Sequence, residues 1–130
     1  MAEFETQAAL FSALSAIDLR VYDSAPQQAN GASLAVFPYV EVGAIVMAPM
    51  DTKERNGFDF VARIHTRSRS ASMKAAKEIQ GAIYARLHHG DLTITGQRLI
   101  LLRRETSDVT RAADGSFHGI CEYRGLIETI

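Results

Sequence analysis

The fold is decided by two stretches of alternating residues, YVEVGAIV at positions 39–46 and FDFVARIH at positions 58–65. Successive side chains of a β-strand point to opposite faces, so a period of two predicts a strand with one buried face. In the first stretch one face is predicted to carry Val40, Val42, Ala44 and Val46. In the second stretch one face is predicted to carry Phe58, Phe60, Ala62 and Ile64. The two stretches are therefore expected to pair as a β-hairpin.

This hairpin is expected to have a long polar tip, Met47–Gly57. A chain reversal needs far fewer residues, and the charged side chains of the segment make it too polar to add to the core. The tip is therefore the candidate partner-binding site, and its residues are Asp51, Thr52, Lys53, Glu54, Arg55 and Asn56. The alternative interpretation is a solvated connection with no role.

Two helices are predicted on either side of the hairpin. The first spans Glu3–Ser15, because at 100° per residue one stripe collects Phe4, Ala8, Leu10, Phe11 and Leu14. The second is expected to begin at a cap on Ser68 or Ser70 and to run to about His88, before Gly90. Its predicted core stripe comprises Met73, Ala76, Ile79, Ile83, Tyr84 and Leu87. We expect Phe60 and Ile64 to pack against Met73, Ile83 and Leu87 of this stripe.

The remaining segments predict further strands and one long loop. The strands are expected at Leu19–Tyr22, Leu92–Thr95, Arg98–Glu105, Asp108–Ala112 and Ser116–Glu128, and the loop at Ser24–Phe37. The Asp114-Gly115 pair between the last two strands is a strong hairpin signal. This order of elements predicts the α+β class, with an antiparallel β-sheet and two helices packed on one face. Residues 1–130 are expected to form a single domain.

The composition is that of an ordinary globular chain. The 130 residues are 47% hydrophobic and 22% charged, which is enough to build one core without metals or disulfides. The lone Cys121 cannot form an internal bridge. No apolar run approaches the roughly 20 residues of a membrane helix, and Glu3 and Glu5 do not suit a secretion signal. We therefore expect neither a membrane-spanning nor a secreted protein.

The net charge of −1 conceals an uneven distribution. Between Lys53 and Arg104 there are eleven basic and four acidic residues, a balance of +7, and the rest of the chain has a balance of −8. Three interpretations are open. The basic segment 53–104 could bind nucleic acid, complementary faces could join copies of the chain head to tail, or the two parts could neutralise each other within the fold.

No catalytic, metal-binding or cofactor-binding motif is found in the sequence. The adjacent His88 and His89 point about 100° apart on a helix, so we interpret them as cations near a helix end rather than as metal ligands. Cys121 and His118 are predicted to lie on opposite faces of one strand, which argues against a nucleophile and its base. Glu122, Arg124 and Glu128 are predicted to form a surface charge ladder.

Sequence-specific binding of nucleic acid is also not expected. A basic cluster is predicted where the hairpin meets the second helix, with Arg63, Arg67, Arg69, Lys74 and Lys77. Proteins that bind single strands interleave such cations with aromatic side chains, and none is interleaved here. A weak attraction to the nucleic-acid backbone stays open.

A set of segments runs through nearly the whole chain: Phe4–Leu14, Arg20–Asp23 with Pro26, Phe37–Val40 with Gly43, Asp51–Lys53 with Asn56-Gly57, Ile64–Arg69, Leu92–Ile94, Gly96–Leu99 and the final strand. In their order and spacing these segments resemble the tail completion or tail terminator proteins of long-tailed phages, prophages and gene transfer agents. The family often carries an aromatic residue where this chain has Arg67.

The resemblance implies a structural virion protein. Members of the family assemble as a homohexameric ring at the head-proximal end of the tail tube, end tube polymerisation and contact the head connector, or stopper protein. The expected partners are therefore further copies of the chain, the tail tube protein and the connector. The expected location is the head-tail junction of a virion, with no membrane partner. Two other functions stay open, a nucleic-acid-binding module and a small enzyme or ligand-binding α+β domain.

Overall fold

The fold is taken from a computed structural model, which describes residues 2–17, 20–22, 37–69 and 72–130. Two α-helices and five β-strands follow one another along the chain. They are α1 (Ala2–Ser15), β1 (Val21–Tyr22), β2 (Tyr39–Pro49), β3 (Gly57–Ser68), α2 (Lys74–Leu87), β4 (Gln97–Arg111) and β5 (Phe117–Thr129). Most of the predicted loop 24–37 lies outside the described residues, as does Ser70. No helix of the described chain is long and apolar enough to cross a membrane.

The strands form one five-stranded sheet in the order β1-β2-β3-β5-β4. All neighbours are antiparallel except β1 and β2, which pair in parallel over two residues. The short β1 makes the sheet mixed, and the predicted α+β class is confirmed. The β2–β3 and β4–β5 hairpins form as the alternation and the Asp114-Gly115 signal predict. Gly115 adopts a φ of 86°, a conformation that side chains other than glycine rarely adopt.

The predicted faces of β2 are wrong beyond Val42. A β-bulge lies between Val42 and Ile45, where β2 has one more residue than β3. Because the side-chain period is two, one inserted residue exchanges the two faces. Ile45 and Met47 therefore pack on the core, while Val46 is 69% exposed.

Both helices cover the same face of the sheet. The core joins Leu10 and Leu14 of α1, Ile83 and Leu87 of α2, and a row of strand side chains that includes Phe60, Ala62, Ile64, Cys121, Tyr123 and Ile127. The predicted inner face of β3 is thus confirmed, and so is the arrangement of two helices on one side. On β5 the core side chains alternate with Glu122 and Arg124, which lie on the other face.

The predicted apolar stripe of α1 is partly wrong. Leu10 and Leu14 are buried together with Thr6 and Ala13, but Phe4 is 73% exposed and Phe11 is 37% exposed. Apolar residues occur on all sides of this helix, so their spacing alone does not show which side packs on the sheet.

The start of α2 and part of its core stripe also differ from prediction. Ser68 does not cap the helix, because β3 continues to pair with β5 as far as Ser68 and Phe117. Ala76, Ile83 and Leu87 are buried as expected, whereas Met73 and Tyr84 are each 38% exposed. Gln80 is buried in addition, and its side-chain amide donates a hydrogen bond to the Asp108 carbonyl at 2.8 Å. This bond satisfies a polar group that would be costly to bury alone.

The segment after α2 contains one long strand where two short ones are predicted. β4 runs unbroken through Glu105–Ser107 and absorbs two bulges, at Leu99/Leu101 and at Arg104/Thr106. Leu92 and Ile94 are buried, but Leu92–Thr95 contributes only a single bridge, between Ile94 and Gln97. β4 is an edge strand, and an edge strand tolerates exposed polar residues that a buried strand would not.

Candidate assembly surface

The candidate loop is shorter than predicted. Met47, Ala48 and Pro49 belong to β2, so the connection between the two strands is Met50–Asn56. All of its residues are exposed, including Asp51, Thr52, Lys53, Glu54, Arg55 and Asn56. The loop therefore offers its side chains at one end of the sheet.

Hydrogen bonds within the loop hold its backbone. The Thr52 amide donates to the Arg55 carbonyl at 2.8 Å, and the Arg55 amide donates to Thr52 Oγ1 at 3.1 Å. At the base, the Met50 amide donates to the Gly57 carbonyl at 2.8 Å. The tip is thus a closed turn whose internal polar groups bond to one another.

The loop is also fastened to the end of β5. The Thr129 amide donates to the Asn56 carbonyl at 2.8 Å, and the Arg55 guanidinium pairs with the Glu128 carboxylate. The same carboxylate accepts a hydrogen bond from Arg98 on β4. The bonds from Arg55 and then Arg98 hold the pKa of Glu128 below its usual value. We call Arg55, Glu128 and Arg98 the loop brace.

Sequence reasoning assigned Glu128 to a surface charge ladder and gave Arg98 no role. Arg55 and Glu128 are 73 positions apart, and only the β3–β5 pairing brings them together. A weak signal existed, since Glu128 shares the outward face of its strand with Glu122 and Arg124. The ladder itself is confirmed, because Glu122 pairs with Arg63 and Arg124 pairs with Asp59.

These ion pairs explain the uneven charge of the sequence. Arg55, Arg63 and Arg98 from the basic middle pair with the acidic Glu122 and Glu128 near the C-terminus. Three of the eleven basic residues of the middle segment are thus paired with acidic residues of β5. The face of the sheet opposite the helices carries both signs of charge in alternation.

The predicted basic cluster is not brought together. Arg63 and Arg67 lie on the sheet face that points away from the helices, since the alternate residues Ile64 and Thr66 are buried. Lys74 and Lys77 lie on α2, which covers the opposite face. Arg69 stacks its guanidinium 3.9 Å from the centre of the Phe37 ring. The cations therefore do not form the continuous stripe that a nucleic-acid backbone would follow.

Two histidines meet on the charged face of the sheet. His65 Nδ1 and His118 Nε2 are 2.9 Å apart, and the rings stack with their centres 5.1 Å apart. Burial lowers the pKa of His65 and also the pKa of His118, and Arg67 acts in the same direction on both. Within the described chain, no group of three or more metal-ligating side chains is found. The pair therefore acts as a neutral hydrogen-bonded contact between β3 and β5.

The cysteine and the second histidine pair carry no chemistry that we can identify. Burial raises the pKa of the Cys121 thiol to about 11, so the reactive thiolate is scarce at neutral pH. His118 lies on the other face of β5, as predicted. The interpretation of His88 as a cation is wrong, because His88 Nδ1 accepts a hydrogen bond from the Arg104 amide at 3.1 Å. Burial also lowers the pKa of His88.

In the described part of the chain, open grooves lie beside the helices. One, of about 500 Å³, lies between α1 and the segment that follows α2, and its lining includes Ala9, Ser12, Ala13, Arg86 and Leu92. Another, of about 420 Å³, lies between α2 and β4, and its lining includes Met73, Lys77, Arg104 and Asp108.

The described residues thus combine an α+β sheet with an exposed loop that is braced at one end of that sheet. Comparison with known families shows which class of protein this is. The family model for Tail completion protein gp17 matches residues 2–128, and the chain belongs to that family. It is a structural protein of the virion tail, which confirms the resemblance seen in the sequence.

The fold is shared with a solved structure described as the virion of a native gene transfer agent particle. The matching chain is 24% identical, with a TM-score of 0.78, over 94% of this chain and 93% of that chain. A search of the curated proteins found no match.

Proposed function

We propose that the protein forms a ring at the head-proximal end of the tail tube, ends tube polymerisation there and joins the tail to the head connector. Membership of the tail completion family over residues 2–128 carries this proposal. A protein with this role works by binding and needs no catalytic centre. We accordingly propose that it is not an enzyme and that it takes no cofactor.

The loop Asp51–Asn56 is proposed as a contact with the protein stacked against this end of the sheet, the tail tube or the neighbouring subunit. Its support is the loop brace. A loop that is already closed and fastened loses less conformational entropy on binding than a flexible one, so less of the contact energy is offset. The exposed Met50 and the C-terminal Ile130, which is 88% exposed, lie at the same end of the sheet. They add apolar area to a surface that is otherwise polar.

Imaging of assembled particles tests the proposed function. The expected result is a sixfold layer of this protein between the tail tube and the connector. Particles made without the protein should contain tails of uncontrolled length or tails that do not join heads. Normal tails and normal joining in its absence would contradict the proposal.

A further inference from the structure

The exposed apolar side chains of the described residues lie in three places. Two of the eight large ones, Met50 and Ile130, are at the loop end of the sheet. The other six lie on two opposite flanks of the molecule. Phe4, Phe11 and Val46 are on the side of β2, and Met73, Tyr84 and Ile100 are on the side of β4.

The helices orient these side chains outward. Ala9 and Ala13 of α1 line the groove toward α2, and Phe4 and Glu5 also line it. Phe11 lies on the opposite side of the helix from Ala9. On α2, Arg86 faces α1, whereas Met73 and Lys77 line the groove beside β4. Each flank therefore combines a sheet edge with the outer side of one helix.

Among the described residues, the edge of β2 beyond Glu41 is neither charged nor covered by another strand. β1 accompanies β2 only at Val40 and Glu41, and among the described residues no strand lies beside Ala44–Pro49. This segment reads AIVMAP and contains no charge. Natural proteins protect a free edge with charged side chains, proline, bulges or a covering segment. The described edge of β2 has a bulge and Pro49 but no charge, which favours a partner strand between them.

We propose that the β2 edge of one copy pairs with the β4 edge of the next copy, so that the sheets are continuous around the ring. This proposal rests on the ring proposed above. β2 and β4 run in opposite directions within one sheet. When all copies of a ring point the same way, the β2 edge of one copy is antiparallel to the β4 edge of its neighbour. The two edges differ, so the contact is heterologous and can close into a ring.

The positions of the exposed side chains along the two edge strands agree with this arrangement. The pairs Val46–Val61, Val61–Arg124 and Arg124–Arg103 form one row across the sheet. Ile100, which is 54% exposed in the first bulge of β4, is only three residues from Arg103. Val46 is therefore level with Arg103 on the other edge, and Ile100 lies about 8 Å from that level along the strand, so both would be covered in the joined sheet.

The charges of the two flanks are complementary. α1 carries Glu3 and Glu5 in its first turn and contains no basic residue. The groove between α2 and β4 is lined by the cations Lys77 and Arg104 and by one carboxylate, Asp108. In the proposed contact, α1 of one copy lies beside this groove of the next, so a helix with acidic and no basic residues meets the cations while Phe11 loses exposure.

Cysteine crosslinking in assembled particles tests the edge pairing. The double variant Val46→Cys with Ile100→Cys is treated with a short bismaleimide, and the products are separated in denaturing gels. The expected result is a ladder of covalent oligomers that ends at six. Each single variant should remain monomeric, as should the chain with only the native, buried Cys121. A matched pair, Ala85→Cys with Ile100→Cys, should give no ladder, because Ala85 lies on the exposed side of α2.

Each result decides between the two proposals. Particles that contain the protein but give no ladder overturn the edge pairing and leave the ring proposal standing. Dimers from Val46→Cys alone would instead show symmetric β2–β2 pairing and also overturn it. Absence of the protein from the particles would overturn both proposals.

A charged residue introduced at the β2 edge provides a second test of the edge pairing. Val46→Lys should leave the melting temperature of the monomer unchanged and reduce the yield of joined particles at least about tenfold. Ala85→Lys serves as the control and should have a normal yield. A normal yield for Val46→Lys would contradict the inference.

Discussion

The ring of Phe60 lies over the backbone of Gly125, the residue opposite it in the β3–β5 pair. A Cβ atom at position 125 would collide with that ring. Glycine at this position therefore makes room for the fully buried aromatic side chain of β3 in the core beneath the helices. The contact joins the central hairpin to the final strand, and it makes Phe60 sensitive to replacement.

Phe60→Ala should destabilise the isolated protein by about 3 to 5 kcal/mol, through lost burial and the cavity that remains. Phe4→Ala removes the same side chain from an exposed position and should cost less than about 1 kcal/mol. Denaturant unfolding of the two variants at equal protein concentration measures both values. A cost below about 1 kcal/mol for Phe60→Ala would show that the inner face of β3 is wrongly assigned.

The strands predicted correctly are those in which local pattern and tertiary contact agree. β3 and β5 alternate without interruption, so their buried residues follow from the period of two. The bulge in β2 leaves no comparable mark, because one inserted residue is invisible in a run of small apolar side chains such as Gly43–Ile45. On α1, Phe4 and Leu10 are equally apolar in sequence, and only the docking of the helix on β1 and β2 decides which is buried.

One part of the candidate site could be predicted from the sequence, and another part could not. The polar tip between the strands is visible as composition, so Asp51–Asn56 could be proposed from sequence. The loop brace could not, because it depends on the strand order that sets Glu128 between Arg55 and Arg98. Pairing of distant strands is set by the whole fold rather than by local propensity.

Glu128→Gln should loosen the loop and change the pH dependence of stability. The folded-state pKa of Glu128 is lowered, so its ion pairs stabilise the protein above the unfolded-state value of 4.5 and are lost as the pH falls through the folded-state pKa. The melting temperature of the variant should therefore lie below that of the native protein at pH 7, and the difference should vanish in acid.

The control for that measurement is Glu78→Gln, which removes a carboxylate whose contact with Lys74 is fully exposed. Surface pairs of this kind contribute little, so its melting temperature should stay close to the native one. A constant difference between the native protein and Glu128→Gln from pH 7 to acid would argue against the brace.

The His65–His118 pair should make the fold less stable in mild acid. Both pKa values are lowered, so the folded protein binds fewer protons than the unfolded chain below the ordinary value of 6.5. Stability should then fall as the pH falls from 6.5 through the folded-state values. Glu41 and Asp108 face the pair and favour the charged rings, whereas Arg67 opposes them.

His118→Gln should retain a hydrogen bond to His65 and lose part of this dependence. Thermal unfolding of the native protein and the variant between pH 7.5 and pH 5.5 gives the comparison, at the pH range where histidine titrates. His89→Gln keeps the stacked pair and should behave like the native protein. Equal pH dependence in the native protein and His118→Gln would exclude the pair as the cause.

The loop itself gives the most direct test of partner contact. Replacement of Asp51–Asn56 by a short turn containing glycine should leave folding nearly intact, because none of these residues belongs to the core. It should impair the joining of tails to heads or the control of tail length, because the surface offered at this end of the sheet is removed. Particle yield and tail length measured by electron microscopy report the effect.

A second variant separates contact from bracing. Lys53→Ser with Glu54→Ser removes two of the four charges at the tip and keeps Arg55 in its pair with Glu128, so the loop should retain its shape. A defect in this variant as well as in the shortened loop would assign the contact to the tip side chains, whereas a defect only in the shortened loop would assign it to the loop backbone. If the shortened loop gives normal yield and normal tail length, the loop is a passive connection, because a surface that binds a partner cannot be deleted without loss of that binding.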